Sequence, residues 1–473
     1  MLHRRVGEEL RDHFASTVAV EPELLAHHFS EAGLTEAAIE WWGKTGQRSL
    51  ERSALVEAIE QFKRALAQIA TLPSTPTVRR EEIKLQVALI TPLEHIKGHA
   101  APETKAAAER AHILIEEAEA LGEPPEDPLV PLSVLYGLWA ASVIAFNGNV
   151  ACRLASQFLT LAEKQKATAP VMIGHRLLGT SLLHTGDITE ARAHFDRAIA
   201  FYDSAEHRPL VRHFGQDVRT ATLTYRALTL WLLGYPKAAL ADADQGLKNA
   251  REIQEAATLM FALFQVTLSQ FFRGDYAVAN TLANEAFTLA DEKGALFWKA
   301  MGMLLQGCAL VLNGKASDAI QLITSGLSAY RSTGATLFVP FYQSYLATAY
   351  TELSSVADAR RSIDEAMMAI ETTKETWCEA EVHRIAGEIA LKSPKPDPTK
   401  AQAYFNCALA IARQQQAKSW ELRAAMSLAR LWRDQGKRDE AHDLLAPVYG
   451  WFTEGFDTLD LQEAKALLDE LTS

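Results

Sequence analysis

Seven alanines set the rhythm of this chain: Ala191, Ala239, Ala279, Ala319, Ala359, Ala401 and Ala441 follow one another at steps of 48, 40, 40, 40, 42 and 40 residues. A recurring unit of about 40 residues is one supersecondary element that cannot bury its apolar face alone, so it has to stack on copies of itself. Residues 175–203 show the plan. Leu178, Gly179 and Leu182 share a face of a first helix, and Ala191, Phe195 and Ala198 share a face of a second, at spacings of four and three. Gly186-Asp187 stops one helix and starts the next. The small residues let two backbones approach, and the ring of Phe195 fills the space beside them. Turn signals recur at Gly234-Tyr235, Gly274-Asp275, Gly314-Lys315, Ser354-Ser355 and Gly436-Lys437. Pro394, Pro396 and Pro398 account for the 42-residue step, and the 48-residue step carries an eight-residue excess between Tyr202 and Thr222.

The same plan is legible, less cleanly, nearer the N-terminus. Ala58, Phe62 and Ala65 repeat the alanine, ring, alanine triplet, with Gly46 and Trp42 at the matching places of the helix before. Ala107, Ala111 and Leu114, then Leu154, Phe158 and Leu161, are degenerate versions. Leu2, Val6, Leu10 and Phe14 make an apolar stripe that either docks on the next helices or marks a cut from a larger protein, and a second helix runs from Glu21-Pro22 to Ala32. The text is alanine-rich without strand-like alternation. It predicts an all-α, right-handed solenoid of antiparallel helix pairs. Residues 1–121 hold the N-terminal helices and first repeats, 122–131 a proline-rich linker, and 132–456 the main solenoid. Residues 457–473 hold a capping helix led by Asp457 and Thr458, its acids along the outer face.

Several function classes are disfavoured. A net charge of -12 argues against a nucleic-acid surface. Cys152, Cys308, Cys378 and Cys407 lie far apart without metal or disulfide spacing, and the start Met1-Leu2-His3-Arg4-Arg5 lacks the apolar run of a secretory signal, so a reducing, cytoplasmic setting is expected. Leu129 to Phe146 is uncharged over eighteen residues, yet Pro131 and Gly137 interrupt it, and equally apolar runs at Leu259 to Phe272 and Ala300 to Leu312 occupy the same place in their repeats. A helix sandwiched between neighbours reads this way, and no membrane span is expected. Gly314-Lys315-Ala316-Ser317 is the nearest approach to a phosphate loop, but Ala309 stands where its first glycine is needed. His27-His28 and His383 have no partners at metal spacing. No enzyme activity, cofactor or metal is expected.

Two places carry binding potential. The inserted loop crowds His207, Arg208, Arg212, His213, Gln216, Asp217 and Arg219 together, a set suited to an anionic group or an acidic segment of a partner, or else to a solvated loop with a local arginine to aspartate pair. The second place follows from a resemblance. His175, Leu178, Gly179, Leu182, Ala191, Phe195 and Ala198 resemble the tetratricopeptide repeat signature. In that class the first helix of each unit lines a concave groove. Carrying the groove places over selects Thr224, Leu228 and Trp231; Phe261, Phe264, Leu268, Phe271 and Phe272; and Met301, Leu304 and Cys308. Farther along it selects Arg384, Glu388, Arg423, Arg430 and Arg433. The resemblance therefore implies a groove with an apolar middle and a partly basic far end, suited to an amphipathic helix or a small apolar molecule bearing an acidic group. The alternative placement of the rings is the core between helices.

A wider resemblance covers most of the chain. His3-Arg4-Arg5 to Phe14, Glu23-Leu24-Leu25-Ala26-His27-His28-Phe29 with Glu31-Ala32-Gly33-Leu34, Leu230-Trp231-Leu232-Leu233-Gly234-Tyr235-Pro236, and Gln416 through Phe456 resemble the C-terminal repeat region of bacterial signalling proteins. Those proteins join a class III nucleotide cyclase, an AAA-type ATPase and tetratricopeptide repeats. The resemblance implies a sensor and scaffold arm without catalytic residues, encoded separately or cut from a longer chain. It would engage a protein or peptide partner, an ATPase or cyclase module among the candidates. A part of a cyclase whose catalytic domain lies elsewhere, or an effector-sensing arm like those of large LuxR-type activators, are the alternatives.

Overall fold

The computed structural model describes residues 2–14, 21–52, 54–123, 127–203, 207–208 and 216–472. Among them are twenty-three α-helices and no strand, and the chain divides into two units, Met1–Ala141 and Ser142–Ser473. The all-α solenoid of consecutive helix pairs is what the repeat spacing predicts.

The first unit contains α1 (Leu2–His13), α2 (Pro22–Glu31), α3 (Thr35–Glu51), α4 (Leu55–Ile69), α5 (Pro76–Lys97), α6 (Pro102–Ala120) and most of α7 (Leu129–Ile144). Pro22, Pro76 and Pro102 each stand at the start of a helix, where a missing N–H costs nothing. Thr75 caps α5 by accepting from the Val78 N–H. Phe62 lies so close to Gly46 that a Cβ there would stand 2.5 Å from its ring, which is why the signature asks for glycine. Helix α1 packs on α2 through Gly7 and His3, while Leu2 and Phe14 at the two ends of the apolar stripe stay exposed. Gly7 is buried against Phe29, and the Nδ1 atoms of His3 and His28 meet at 2.8 Å. Helix α7 begins at Leu129, so the last residues of the 122–131 stretch are helical, while residues 124–126 lie outside those described.

The second unit continues with α8 (Gly148–Gln165), α9 (Thr168–His184), α10 (Ile188–Ala200), α11 (Val218–Leu232), α12 (Pro236–Ile253), α13 (Ala256–Arg273) and α14 (Tyr276–Glu292). It ends with α15 (Leu296–Leu312), α16 (Ala316–Ser332), α17 (Val339–Glu352), α18 (Val356–Thr373), α19 (Glu379–Leu391), α20 (Pro398–Gln414), α21 (Lys418–Asp434), α22 (Arg438–Tyr449) and α23 (Leu459–Thr472). All seven rhythm alanines lie on second helices and are at most 3% exposed. Phe195 sits on Gly179 and Phe405 on Gly387, each ring filling the gap a glycine opens. Among the described residues no helix is long and apolar enough to cross a membrane.

Within this unit the solenoid winds far enough to stack on itself. The last carbonyls of a helix lack partners in their own helix. Here they are met from loops and a helix start four to five repeats later in the chain. The Thr336 and Leu337 N–H groups donate to the Ile144 carbonyl at 2.8 and 3.0 Å. The Thr376 N–H donates to His184, and its hydroxyl to the Thr185 carbonyl 191 residues away. The Ser419 hydroxyl donates to the Trp231 carbonyl, 188 residues away. Three repeat turns lie along this seam. A Cβ at Gly186 would meet Thr376, one at Gly234 would meet Trp451, and one at Gly274 would meet Leu459, all within 2.6 Å. The turn at Gly314, off the seam, has nothing within 4 Å.

Candidate functional site

Closing the turn converts the concave face into an interior. The carboxyl ends of α9, α11 and α13 bring His184, Trp231 and Phe272 to the axis, and the starts of α17, α19 and α21 bring Phe338, Trp377 and Trp420 to meet them. Trp231 stacks on Phe272 with centroids 4.3 Å apart, and Trp420 stands edge-on to both, at 4.7 and 5.6 Å. Trp231, Phe261, Phe264 and Phe271 are all buried. Phe264 packs edge-on against Phe338 at 5.3 Å, and Phe261 packs on Tyr225 at 5.4 Å, so these two rings serve the packing between layers.

Where the aromatic column ends, a cavity of about 210 Å³ remains. Phe271 from α13, Val311 and Leu312 from α15, Tyr345 from α17, and Ile385 and Met426 form its apolar wall. Its polar wall is made by Glu381 and Arg384 of α19, Arg423 and Arg430 of α21, and Asp460 and Glu463 of α23. Three of the residues singled out from the sequence, Phe271, Arg423 and Arg430, therefore line one cavity.

The charges in it are paired. Glu381 accepts from Arg384 Nε and Nη2 at 2.7 and 2.8 Å, and the Arg423 Nη1 lies 3.5 Å from the same carboxylate. Arg423 donates through Nε to Asp460 at 2.8 Å and through Nη2 to the Phe272 carbonyl at 3.4 Å. Its guanidinium lies 5.2 Å from the ring centres of both Trp231 and Trp420. Arg430 pairs with Glu463 at 2.8 Å on the more exposed rim. Burial works to raise the Glu381 carboxyl, but Arg384 and Arg423 outweigh it and hold it below its ordinary range. Asp460 goes the other way. Burial raises its carboxyl by more than Arg423 lowers it, with Glu381 and Glu463 adding to the rise.

Helix α23 stands where the first helix of one more repeat would stand. Asp460, Glu463 and Glu470 face Arg423, Arg430 and Arg433 of α21, with Arg433 Nη1 and Glu470 at 2.8 Å. Glu463, Asp469 and Glu470 are exposed, whereas Asp460 is drawn inward by Arg423 of α21. Leu461, Ala464, Leu467 and Leu471 bury the adjoining face.

The inserted loop is described in part. Arg212 and His213 lie outside the described residues. Asp217 is buried and caps α11: Oδ1 accepts from the Thr220 N–H at 2.8 Å and from Asn249 Nδ2 at 2.9 Å, and Oδ2 accepts from the Tyr202 hydroxyl at 3.2 Å. Burial first, then Asp217, pushes the Tyr202 phenol up to about 12. The Arg219 guanidinium lies 5.5 Å from the centre of the Tyr202 ring, Arg208 reaches Glu252 at 3.9 Å, and the Nδ1 of the buried His207 accepts from the Asp203 N–H.

Two features escaped sequence reasoning. Glu381 lies one helical turn before Arg384 and two before Glu388, a spacing that could have marked it as their neighbour. Glu375 had no such signal, because it lies in an aperiodic loop. It is fully buried; Oε1 accepts from the Phe338 N–H and Trp377 Nε1, both at 2.9 Å, and Oε2 has no hydrogen-bond partner. Burial pushes its carboxyl up to about 8.

No protein-family model matches the sequence. An uncharacterized protein of Rhizobium meliloti (strain 1021) is 22% identical over 435 residues, covering 91% of this chain, and the chain spans only about 41% of that relative's length. Among solved structures, a Rap protein complexed with Competence and Sporulation Factor is similar with a TM-score of 0.53 and 12% identity, over 83% of this chain and 99% of that one. Cut9 in the APC/C hetero-tetramer with Hcn1 is similar with a TM-score of 0.51 and 11% identity, over 99% of this chain and 92% of that one. Both are helical solenoids of tetratricopeptide type, and at these identities the likeness is one of fold. The chain is a helical solenoid of that architecture. Among the described residues no three histidine, cysteine, aspartate or glutamate side chains gather as metal ligands.

Proposed function

We propose that this chain is a non-catalytic, ligand-responsive interaction scaffold acting in the cytoplasm as the regulatory arm of a bacterial signalling system. The observation that carries the reading is the cavity that joins Phe271 to Arg423 and Arg430 beneath a terminal helix. The two solved solenoids support it, since one is complexed with Competence and Sporulation Factor and the other assembles with Hcn1. The partner module is a nucleotide cyclase or an AAA-type ATPase, a reading that rests on the resemblance of residues 3–14, 23–34, 230–236 and 416–456 to the repeat arms of such proteins. A small-molecule effector arm of a transcriptional activator is the second reading, favoured by how small the cavity is.

The test is a screen of the full chain against a defined library of metabolites and short peptides, read by thermal shift and native mass spectrometry. The library is run in parallel on Thr348→Trp, which fills the cavity from a half-buried position. Ligands that shift the native chain and not the filled variant support the reading. No shift from any member, or equal shifts in both, overturns it. Release of cyclic nucleotide or phosphate by the purified chain would overturn the non-catalytic part.

A further inference from the structure

The cavity holds three guanidiniums and three carboxylates: Arg384, Arg423 and Arg430 against Glu381, Asp460 and Glu463. An added anion would leave a buried charge uncompensated unless one carboxylate gave way. The three acids are not held alike. Glu381 takes two bonds from Arg384 besides its contact with Arg423, and Glu463 lies on the exposed rim. Asp460 has a single hydrogen bond, from Arg423 Nε, and sits in the first turn of the terminal helix with its side chain 17% exposed. Arg423 is the fixed member. Besides Asp460, two indole faces, the Phe272 carbonyl and Glu381 all meet its guanidinium.

We infer that the cavity takes a compact apolar monocarboxylate whose carboxylate displaces Asp460 from Arg423, so that ligand entry and loosening of α23 are one event. The inference rests on the reading of the cavity as a ligand site and names what that site takes. Exchange keeps the buried charge balanced, and Arg423 offers the new carboxylate the same charge-assisted bond it gives Asp460. The body of the ligand lies against Phe271, Tyr345, Ile385 and Met426, in a volume suited to a phenyl ring with a short arm. That burial raises the Asp460 carboxyl in spite of Arg423 agrees with its being the acid that yields.

The experiment is isothermal titration of the full chain, in low-chloride buffer, with phenylacetate, 3-phenylpropionate and 4-methylpentanoate, each against its amide. Hydrogen exchange over residues 459–472 is followed in the same samples. The carboxylates are expected to bind at least tenfold more tightly than the amides and to speed exchange in α23. Asp460→Asn should tighten carboxylate binding at least tenfold, leave amide binding unchanged, and speed exchange in α23 without ligand. Arg423→Gln should abolish carboxylate binding; if it does not fold, the Asp460→Asn comparison decides alone. Equal binding of acid and amide, or no gain from Asp460→Asn, overturns the exchange while leaving a ligand cavity in place. Failure of all six compounds on both the native chain and Asp460→Asn overturns the inference, and the library screen with Thr348→Trp then decides the wider reading independently.

Discussion

Replacing Glu375 by glutamine alters one buried carboxyl and should flatten the dependence of stability on pH. The folded-state pKa is about 8, against an ordinary 4.5, so between those values the folded protein keeps a proton that the unfolded chain has shed. The contribution of the protonated acid is fully present below pH 4.5 and is lost as pH rises through 8. At 1.36 kcal/mol per unit, the loss reaches about 3 kcal/mol at pH 7 and roughly 5 kcal/mol at pH 9. For a cooperative unit the size of Ser142–Ser473, 1 kcal/mol corresponds to about 1.5 °C in Tm, so the two losses are roughly 4 and 7 °C. Glutamine keeps an oxygen for the Phe338 N–H and the Trp377 indole N–H and cannot ionise. Thermal denaturation of both proteins from pH 5 to 9 isolates the effect, because other titrations cancel in the difference. The variant should gain on the native chain steadily as pH rises. A difference in Tm that stays constant over that range would refute the buried, proton-holding carboxyl.

Four further substitutions probe the scaffold. Gly234→Ala and Gly314→Ala both place alanine at positive φ, 88° and 71°, for about 1–2 kcal/mol of strain each. Only at Gly234 would the new Cβ stand 2.5 Å from Trp451, adding roughly 1–3 kcal/mol, so denaturant midpoints should separate the two variants, and equal losses would refute the seam. Asp217→Ala removes the cap of α11 and takes one bond from each of Asn249 and Tyr202, for roughly 2–3 kcal/mol; a Tm within 1 °C of the native value would show the network to be idle. Phe264→Ser should cost about 3–5 kcal/mol, read as a lowered melting temperature by circular dichroism. Retained melting with lost ligand binding would instead return that ring to a groove.

The solenoid was legible because its determinants are local and periodic. Gly179 with Phe195, and Gly387 with Phe405, are contacts within one helix pair, so their spacing along the chain is their spacing in space. The seam was not legible, because Thr376 meets His184 and Thr185 across nearly two hundred residues and no spacing in the sequence encodes how many repeats make a turn. That unread quantity decides the fate of the groove residues. Phe271, Arg423 and Arg430 were chosen by counting along first helices, and the same winding that buried Trp231 and Phe264 brought these three around one cavity. Asp460 could not be assigned to it from sequence, since its partner Arg423 on α21 is a repeat away and nothing in the sequence of α23 marks Asp460 as the acid that faces it.

An extended solenoid leaves its concave face to solvent, whereas one that completes a turn must fill it. Aromatic rings fill most of the axis here, and where the column stops, next to Phe272, the wall continues in paired charges. Arg423 belongs to both regions. Its Nη2 donates to the Phe272 carbonyl, at the end of α13 beside the seam, while its Nε holds the terminal helix through Asp460. A buried pair of this kind is weak evidence for stability, because apolar groups of the same volume often serve as well. What the pair provides is a polar joint between the closing contact of the turn and its last helix. An anion that replaces Asp460 therefore acts on the solenoid's end and on its closure through the same guanidinium.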